Sequence, residues 1–254
     1  MSSFEAEILA TKIAAIREIY NFIDKKIPLF VDAEIRLQEG LEQQKEAENK
    51  YGGATFVIMS IAAAIAFVIP LSFISQLIET PLYYASPVFG IIAVYMFRNN
   101  YRKKKMPAIL KATKEIIEDA EQNREGLMNV INQSYYNIKG EMFVLLHSTE
   151  DVEFVDQIND EGNPPECGNL IALDYMYHAI TKGLAYPFSD AIKHFSEIKE
   201  KLKNKTDEKS VSLYNEILDG ELKAEYRCGI IKRCEALQKE NLLKKVEKSQ
   251  EKEK

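Results

Sequence analysis

From Tyr51 to Ile78 the chain runs for 28 residues without a charge, and after Glu79 it adds 18 more, Thr80 to Phe97. A helix that packs on a soluble core is apolar along one stripe; the first run is apolar on every side. As a single helix rising about 1.5 Å per residue it would span ~42 Å, more than the ~30 Å hydrocarbon core of a bilayer. The second run would span ~27 Å, workable with local thinning or flanking anchors. Two passes are therefore expected, a transmembrane helical hairpin over residues 51–98. The competing reading is a soluble pair of helices, in which both runs are walled in by the chain's own polar helices.

The flanks of the two runs favour lipid. Tyr51 precedes the first, Tyr83 and Tyr84 sit at the turn, and Tyr101 follows the second, all positions where amphipathic rings anchor at a membrane interface. Arg98, Arg102, Lys103, Lys104 and Lys105 follow the second run, whereas the turn carries one charge, Glu79. The positive-inside rule then translocates the turn and leaves both termini cytoplasmic. Lys45 and Lys50, before the first run, are interleaved with Glu46 and Glu48 and add little. The basic cluster also suits contact with an anionic leaflet, at about 1 kcal/mol per cation. Pro70 is expected to kink the first span and Pro87 the start of the second. Ser60 with Ala64, Ala62 with Ala66, and Ser86 with Gly90 are small residues at helical spacing, which let backbones approach closely in lipid; packing of the two spans on each other is preferred to oligomerisation. No ionisable residue lies within either run, which argues against a proton relay at the midplane. Residues Met1 to Lys26 contain Glu5, Glu7 and Glu18 with spaced apolar residues, unlike a secretory leader.

Nearly all of the 39 acidic and 33 basic residues lie outside the hairpin, giving net charge -6 and excluding a polybasic nucleic-acid-binding domain. The expected class is all-α, with amphipathic helices flanking the hairpin as an antiparallel stalk. Ile8, Ile13, Ile16, Tyr20, Ile23 and Ile27 mark a helix over Phe4 to Ile27 that Pro28 ends or bends, followed by a charged helix from Asp32 to Lys50 within an N-terminal cytoplasmic segment, 1–50. In the returning segment, 99–147, Pro107 is expected to start a helix whose stripe is Ile109, Leu110, Ile116, Ile117, Ala120, Leu127, Met128, Ile131 and Tyr135. The heptads do not read as a strict coiled coil. An acidic linker, 148–166, precedes a C-terminal helical domain, 167–243, read as helices over Leu170 to Leu202 and Ser210 to Leu243. A charged tail, 244–254, is expected to fray. Ala191 with Phe195, and Ala224 with Cys228, fall 33 residues apart, close to the tetratricopeptide period, without the rest of that consensus.

The search for chemistry returns little. Cys167, Cys228 and Cys234 form no disulfide framework, CxxC pair or zinc set and read as buried structural thiols of a reducing compartment. His147, His178 and His194 do not stand four apart as a zinc helix requires, and no phosphate loop occurs. The acidic stretch around Asp156 and Asn159 is out of phase with a calcium loop. No catalytic residue, cofactor or metal is expected, and the chain does not read as an enzyme.

Two roles remain. The first is a membrane-anchored interaction or scaffold protein that recruits a cytoplasmic protein partner. On its hairpin and cytosolic helical flanks, and on no motif, the chain resembles bacterial secreted effectors with a bilobed hydrophobic hairpin, which implies insertion into a host membrane. The second is a small homo-oligomeric two-span channel or membrane-disrupting effector, with Glu79 at the pore mouth. The turn Ile78-Glu79-Thr80-Pro81-Leu82-Tyr83-Tyr84 resembles the acidic Glu-Pro pore entrance of mitochondrial calcium uniporters. It departs from that entrance at Thr80 and lacks its Trp and Asp. Two-span bacterial defence effectors with cytosolic helical extensions are similar in architecture.

Overall fold

The computed structural model describes residues 3–50, 53–78, 82–147 and 165–252, and among these it is all-helical with no strand. The helices are α1 (Ser3–Asn49), α2 (Gly53–Ile78), α3 (Ser86–Asn100), α4 (Met106–His147), α5 (Leu170–Thr181), α6 (Phe188–Lys203) and α7 (Glu208–Lys252). The chain divides into two compact units, Met1–Val31 with Glu125–Lys254, and Asp32–Arg124, so α1 and α4 each contribute a segment to both.

In the first unit α1 is a continuous helix through Pro28, where a break or bend is expected from the sequence. A proline inside a helix loses one hydrogen bond and crowds the preceding turn, at ~3 kcal/mol. Here Ile27 and Phe30, on either side of it, are both buried, so packing holds the helix across the defect. The core residues Ala6, Leu9, Ile13, Ile16, Tyr20, Ile23, Ile27 and Phe30 step by alternating threes and fours, a heptad stripe with Ala10 buried beside it. Leu9, and not the exposed Ile8, belongs to it, which removes the irregular step that obscures the heptad in sequence. On α4 the matching stripe is Met128, Ile131, Tyr135, Ile138, Met142 and Leu145. Lys12 pairs with Glu141 at 2.8 Å, and further along α1 Tyr20 approaches Tyr135, so the two segments run antiparallel.

The rest of this unit closes over the same core. Leu170 to Leu202, expected to be helical, forms two helices, α5 and α6. Asn169 caps α5 by accepting from the Ile171 N–H at 2.9 Å. Gly183, at φ +68, ends it in the left-handed conformation that glycine adopts without a Cβ penalty. Ala191 and Phe195 of α6 are buried, whereas Cys228 on α7 is exposed. The 33-residue spacing therefore does not mark equivalent positions of a repeat. α7 continues as helix to Lys252, into the stretch expected to fray. Of the acidic linker only Pro165 and Glu166 are described, and they open a 3-10 turn that ends at Gly168.

Among the described residues the core of the first unit contains one cation. Arg227 is 2% exposed and grips Asp24 with two bonds of 2.6 Å, one from Nε and one from Nη2. Its Nη1 donates to the Gly168 carbonyl at 2.7 Å, and the guanidinium lies over the Tyr20 ring at 4.6 Å. One side chain thus ties α7 to α1 and to the turn before α5. Burial pushes the Tyr20 hydroxyl well above the ordinary tyrosine range, as expected for a group sealed into the same core.

In the second unit the end of α1 and the start of α4 are also antiparallel. A Cβ on Gly40 would sit 2.8 Å from Ile117 Cγ1, and Tyr101 donates to the Ala47 carbonyl at 3.3 Å. That carbonyl lies in the last turn of α1, where helical acceptors lack partners, so the tyrosine serves as a side-chain cap. Pro107 lies in the first turn of α4, as expected of a helix start, and α3 is joined to α4 by a π-helical turn, Tyr101–Lys105, closed by the Met106 N–H on the Tyr101 carbonyl. The wider turn relieves the clash between a proline ring and the carbonyl four residues before it, so the helix continues.

Candidate membrane-interaction site

The hairpin is built by small residues. α2 and α3 run antiparallel, with the Phe67 and Phe89 rings 6.1 Å apart and Arg98 at the far end over Phe56. A Cβ on Gly90 would fall 2.6 Å from Ala64 N and 2.7 Å from the Ser60 carbonyl, both backbone atoms. The helices therefore touch at main-chain distance, and the small residues Ser60, Ala64 and Gly90 pack one helix on the other. Ser60 and Ser72 donate to the Phe56 and Val68 carbonyls at 2.8 and 2.7 Å, so neither hydroxyl needs water.

The outward faces are apolar and uncovered. Residues Ala54–Gln76 of α2 form a helix long and apolar enough to cross a membrane, and only 6% of that apolar stretch is buried. Ile58, Ile61, Ile65, Ile69 and Phe73 are exposed, as are Val88, Ile92, Tyr95, Met96 and Phe97 on α3. A soluble pair of core helices would have these side chains packed; single exposed apolar residues are ordinary, but a continuous surface of them marks an interaction site. The second apolar run differs from expectation. Its α-helix starts only at Ser86, with Pro87 in its first turn, after a 3-10 turn at Leu82–Ala85, and α3 is 15 residues long. Among the described residues one helix, and not two, meets the length for a full span.

The residues singled out in the sequence take different places around this surface. Arg102, Lys103, Lys104 and Lys105 are exposed on the π-helical turn. Arg98 is half-buried, its guanidinium 5.5 Å from the Phe56 ring centre, and its Nε is sealed from solvent without a hydrogen bond. Among the described residues none of these five cations has an acidic partner. Tyr84 is exposed. Tyr101, expected at the interface, is instead buried, because its ring fills the joint with α1 beneath Lys50, whose Nζ lies 5.4 Å from the ring centre. Tyr51, Glu79 and the side chain of Tyr83 lie outside the described residues.

Reactive groups elsewhere do not converge. His194 Nδ1 meets the Tyr175 hydroxyl at 2.6 Å beside a cleft of about 540 Å³ between Gly183 and Glu197, and His178 stands 3.9 Å from Asp174. Among the described residues no three His, Cys, Asp or Glu side chains gather to hold a metal. Cys167 and Cys234 are buried, and burial pushes the Cys167 thiol up. Cys228 is exposed, against the expectation of three buried thiols. A thiolate is the reactive form, so one thiol of three is expected to react rapidly with Ellman's reagent in the native protein, and all three after denaturation. Three fast thiols would contradict the packing around α7.

No family model matches the chain. Neither a curated protein nor a solved structure does.

Two features escape the sequence reading. Arg98 reads there as one more cation of a cluster, since its stacking on Phe56 requires the hairpin register. Arg227 carries a signal that could have found it: Ile217, Ala224, Arg227, Ile231 and Cys234 are spaced seven, three, four and three, so an arginine occupies a core position of α7.

Proposed function

We propose that the chain is an integral membrane protein anchored by the α2–α3 hairpin, both termini in the cytoplasm, and that its helical first unit recruits a cytoplasmic protein. The observation that carries the anchor is the uncovered apolar surface of the hairpin. In water that surface would favour aggregation; in hydrocarbon it needs no cover. The 3-10 turn and the apolar part of α3, Leu82 to Phe97, together rise about 26 Å, close to the thickness needed for the return pass. The recruiting role is supported by the exposed Leu222 and Tyr226, one turn apart on α7. The channel reading depends on Glu79, and the small residues that would line a contact between copies are in part occupied inside the hairpin.

The full-length protein is expected to remain with membranes after an alkaline carbonate wash. Topology is read with an impermeant maleimide on right-side-out spheroplasts. Native Cys228 should label only after lysis, and Thr80→Cys, in a Cys228→Ser background, in intact cells. If the two positions label from the same side, the chain does not cross twice; if carbonate releases it, the anchor itself is wrong.

A further inference from the structure

The face of the hairpin that carries Ala62 and Ala66 is not flat. Met59, Ala62, Ala66, Pro70, Ala93 and Phe97 are among the walls of an apolar groove of about 480 Å³ between α2 and α3. The alanines recess its floor, and Pro70 contributes a ring where a longer side chain would fill the space. Arg98 is not one of the walls but follows one end of the groove along both helices. Phe97 precedes it on α3, and Phe56, whose ring lies under the guanidinium, is one turn before Met59 on α2.

We infer that this groove seats one acyl chain of an anionic phospholipid whose phosphate is held by Arg98. The inference rests on the membrane reading above and names the ligand of that same surface. Three arguments select this occupant. The groove is apolar, open and narrow between two helices, which suits a flexible hydrocarbon chain. Arg98 has its guanidinium fixed over a ring and its Nε sealed. Its terminal nitrogens are therefore the donors left for a phosphate, which a planar guanidinium binds in a forked geometry. The third argument is charge. Arg98, Arg102, Lys103, Lys104 and Lys105 have no acidic partner among the described residues. A second copy seated in the groove with the same topology would bring the same cations to the same membrane level, where like charges repel. A lipid of net negative charge meets them with the opposite sign.

Native mass spectrometry of the full-length protein in detergent tests this, with phosphatidylglycerol and phosphatidylcholine of identical chains as probes. One phosphatidylglycerol per chain should be retained in preference to phosphatidylcholine, and soluble glycerol phosphate should not displace it. Arg98→Gln should weaken phosphatidylglycerol retention about tenfold, the size of one charge-assisted hydrogen bond, with partial recovery in Arg98→Lys. Ala62→Leu or Ala66→Leu, either of which fills the floor, should reduce retention of both lipids. Carbonate-resistant membrane association should stay as in wild type in every variant. Equal retention of the two lipids, or unchanged retention in Arg98→Gln, overturns the seat while leaving the anchor standing. Displacement by glycerol phosphate would assign the site to a free phosphate ester, and a dimer lost in the alanine variants would assign the groove to a second copy; either result also overturns it. Release of the wild type by carbonate would instead strike the anchor.

Discussion

Asp24→Ala is expected to lower the unfolding free energy of the first unit by about 3 kcal/mol, the lower end of what breaking a buried ion pair costs. The size follows from which charge is left behind. Arg227 is 2% exposed, so without Asp24 its guanidinium keeps one carbonyl, Gly168, and one ring, Tyr20, but no counter-charge. The reverse deletion is milder. Asp24 is 35% exposed and can be hydrated, so Arg227→Met should cost about 1–2 kcal/mol, mainly the unpaired Gly168 carbonyl and imperfect packing. In the double variant Asp24→Ala, Arg227→Met, no buried charge remains. Its loss should be smaller than the sum of the single losses by more than about 1 kcal/mol. Urea titrations of the full chain in detergent, followed by far-ultraviolet circular dichroism, measure all three. A loss within 0.5 kcal/mol for Asp24→Ala, the range of an ordinary surface change, would show that the bidentate pair is not formed.

The same pair shows where sequence reading stops. Net helical content, the hairpin and the amphipathic character of α1 and α4 are legible because each depends on many residues agreeing on one period. Single residues that oppose the pattern are decided by tertiary contacts. Pro28 reads as a stop and lies inside α1, since Ile27 and Phe30 bury on both sides of it. Pro107 reads as a start and follows a π-helical turn, because the polypeptide absorbs the missing N–H locally. Ile8, exposed, masks a heptad that Leu9 completes. At the candidate site the chemical composition is visible and the register is not. The cations, the apolar run and the alanines can each be picked out along the chain. That Arg98 stacks on Phe56, or that Tyr101 turns inward to Ala47, depends on how α2, α3 and α1 align.

Gly90→Leu is expected to open the hairpin, because the atoms it would meet belong to the backbone. In lipid, helices gain nothing from withdrawing apolar surface from water, so their association depends on how closely they fit. At Gly90 the fit is at its limit: an added Cβ lies 2.6 to 2.8 Å from Ala64 N, Ser60 O and Ala64 Cα. None of these is the end of a flexible side chain, so one helix must move away from the other. Gly90→Ala should therefore cost about 1–3 kcal/mol, the usual range for an overpacked contact, and Gly90→Leu more. The gain in helix propensity, about 1 kcal/mol, acts in the opposite direction and offsets only the smallest of these costs. Gly126→Ala separates the two effects. Gly126 lies exposed within α4, and nothing stands within 4 Å of an added Cβ, so only the propensity gain applies and that variant should be more stable by up to about 1 kcal/mol. Titration with sodium dodecyl sulfate in mixed micelles reads both signs. If Gly90→Ala gains stability as Gly126→Ala does, α2 and α3 do not meet at main-chain distance, and their small residues are free to face lipid or another copy.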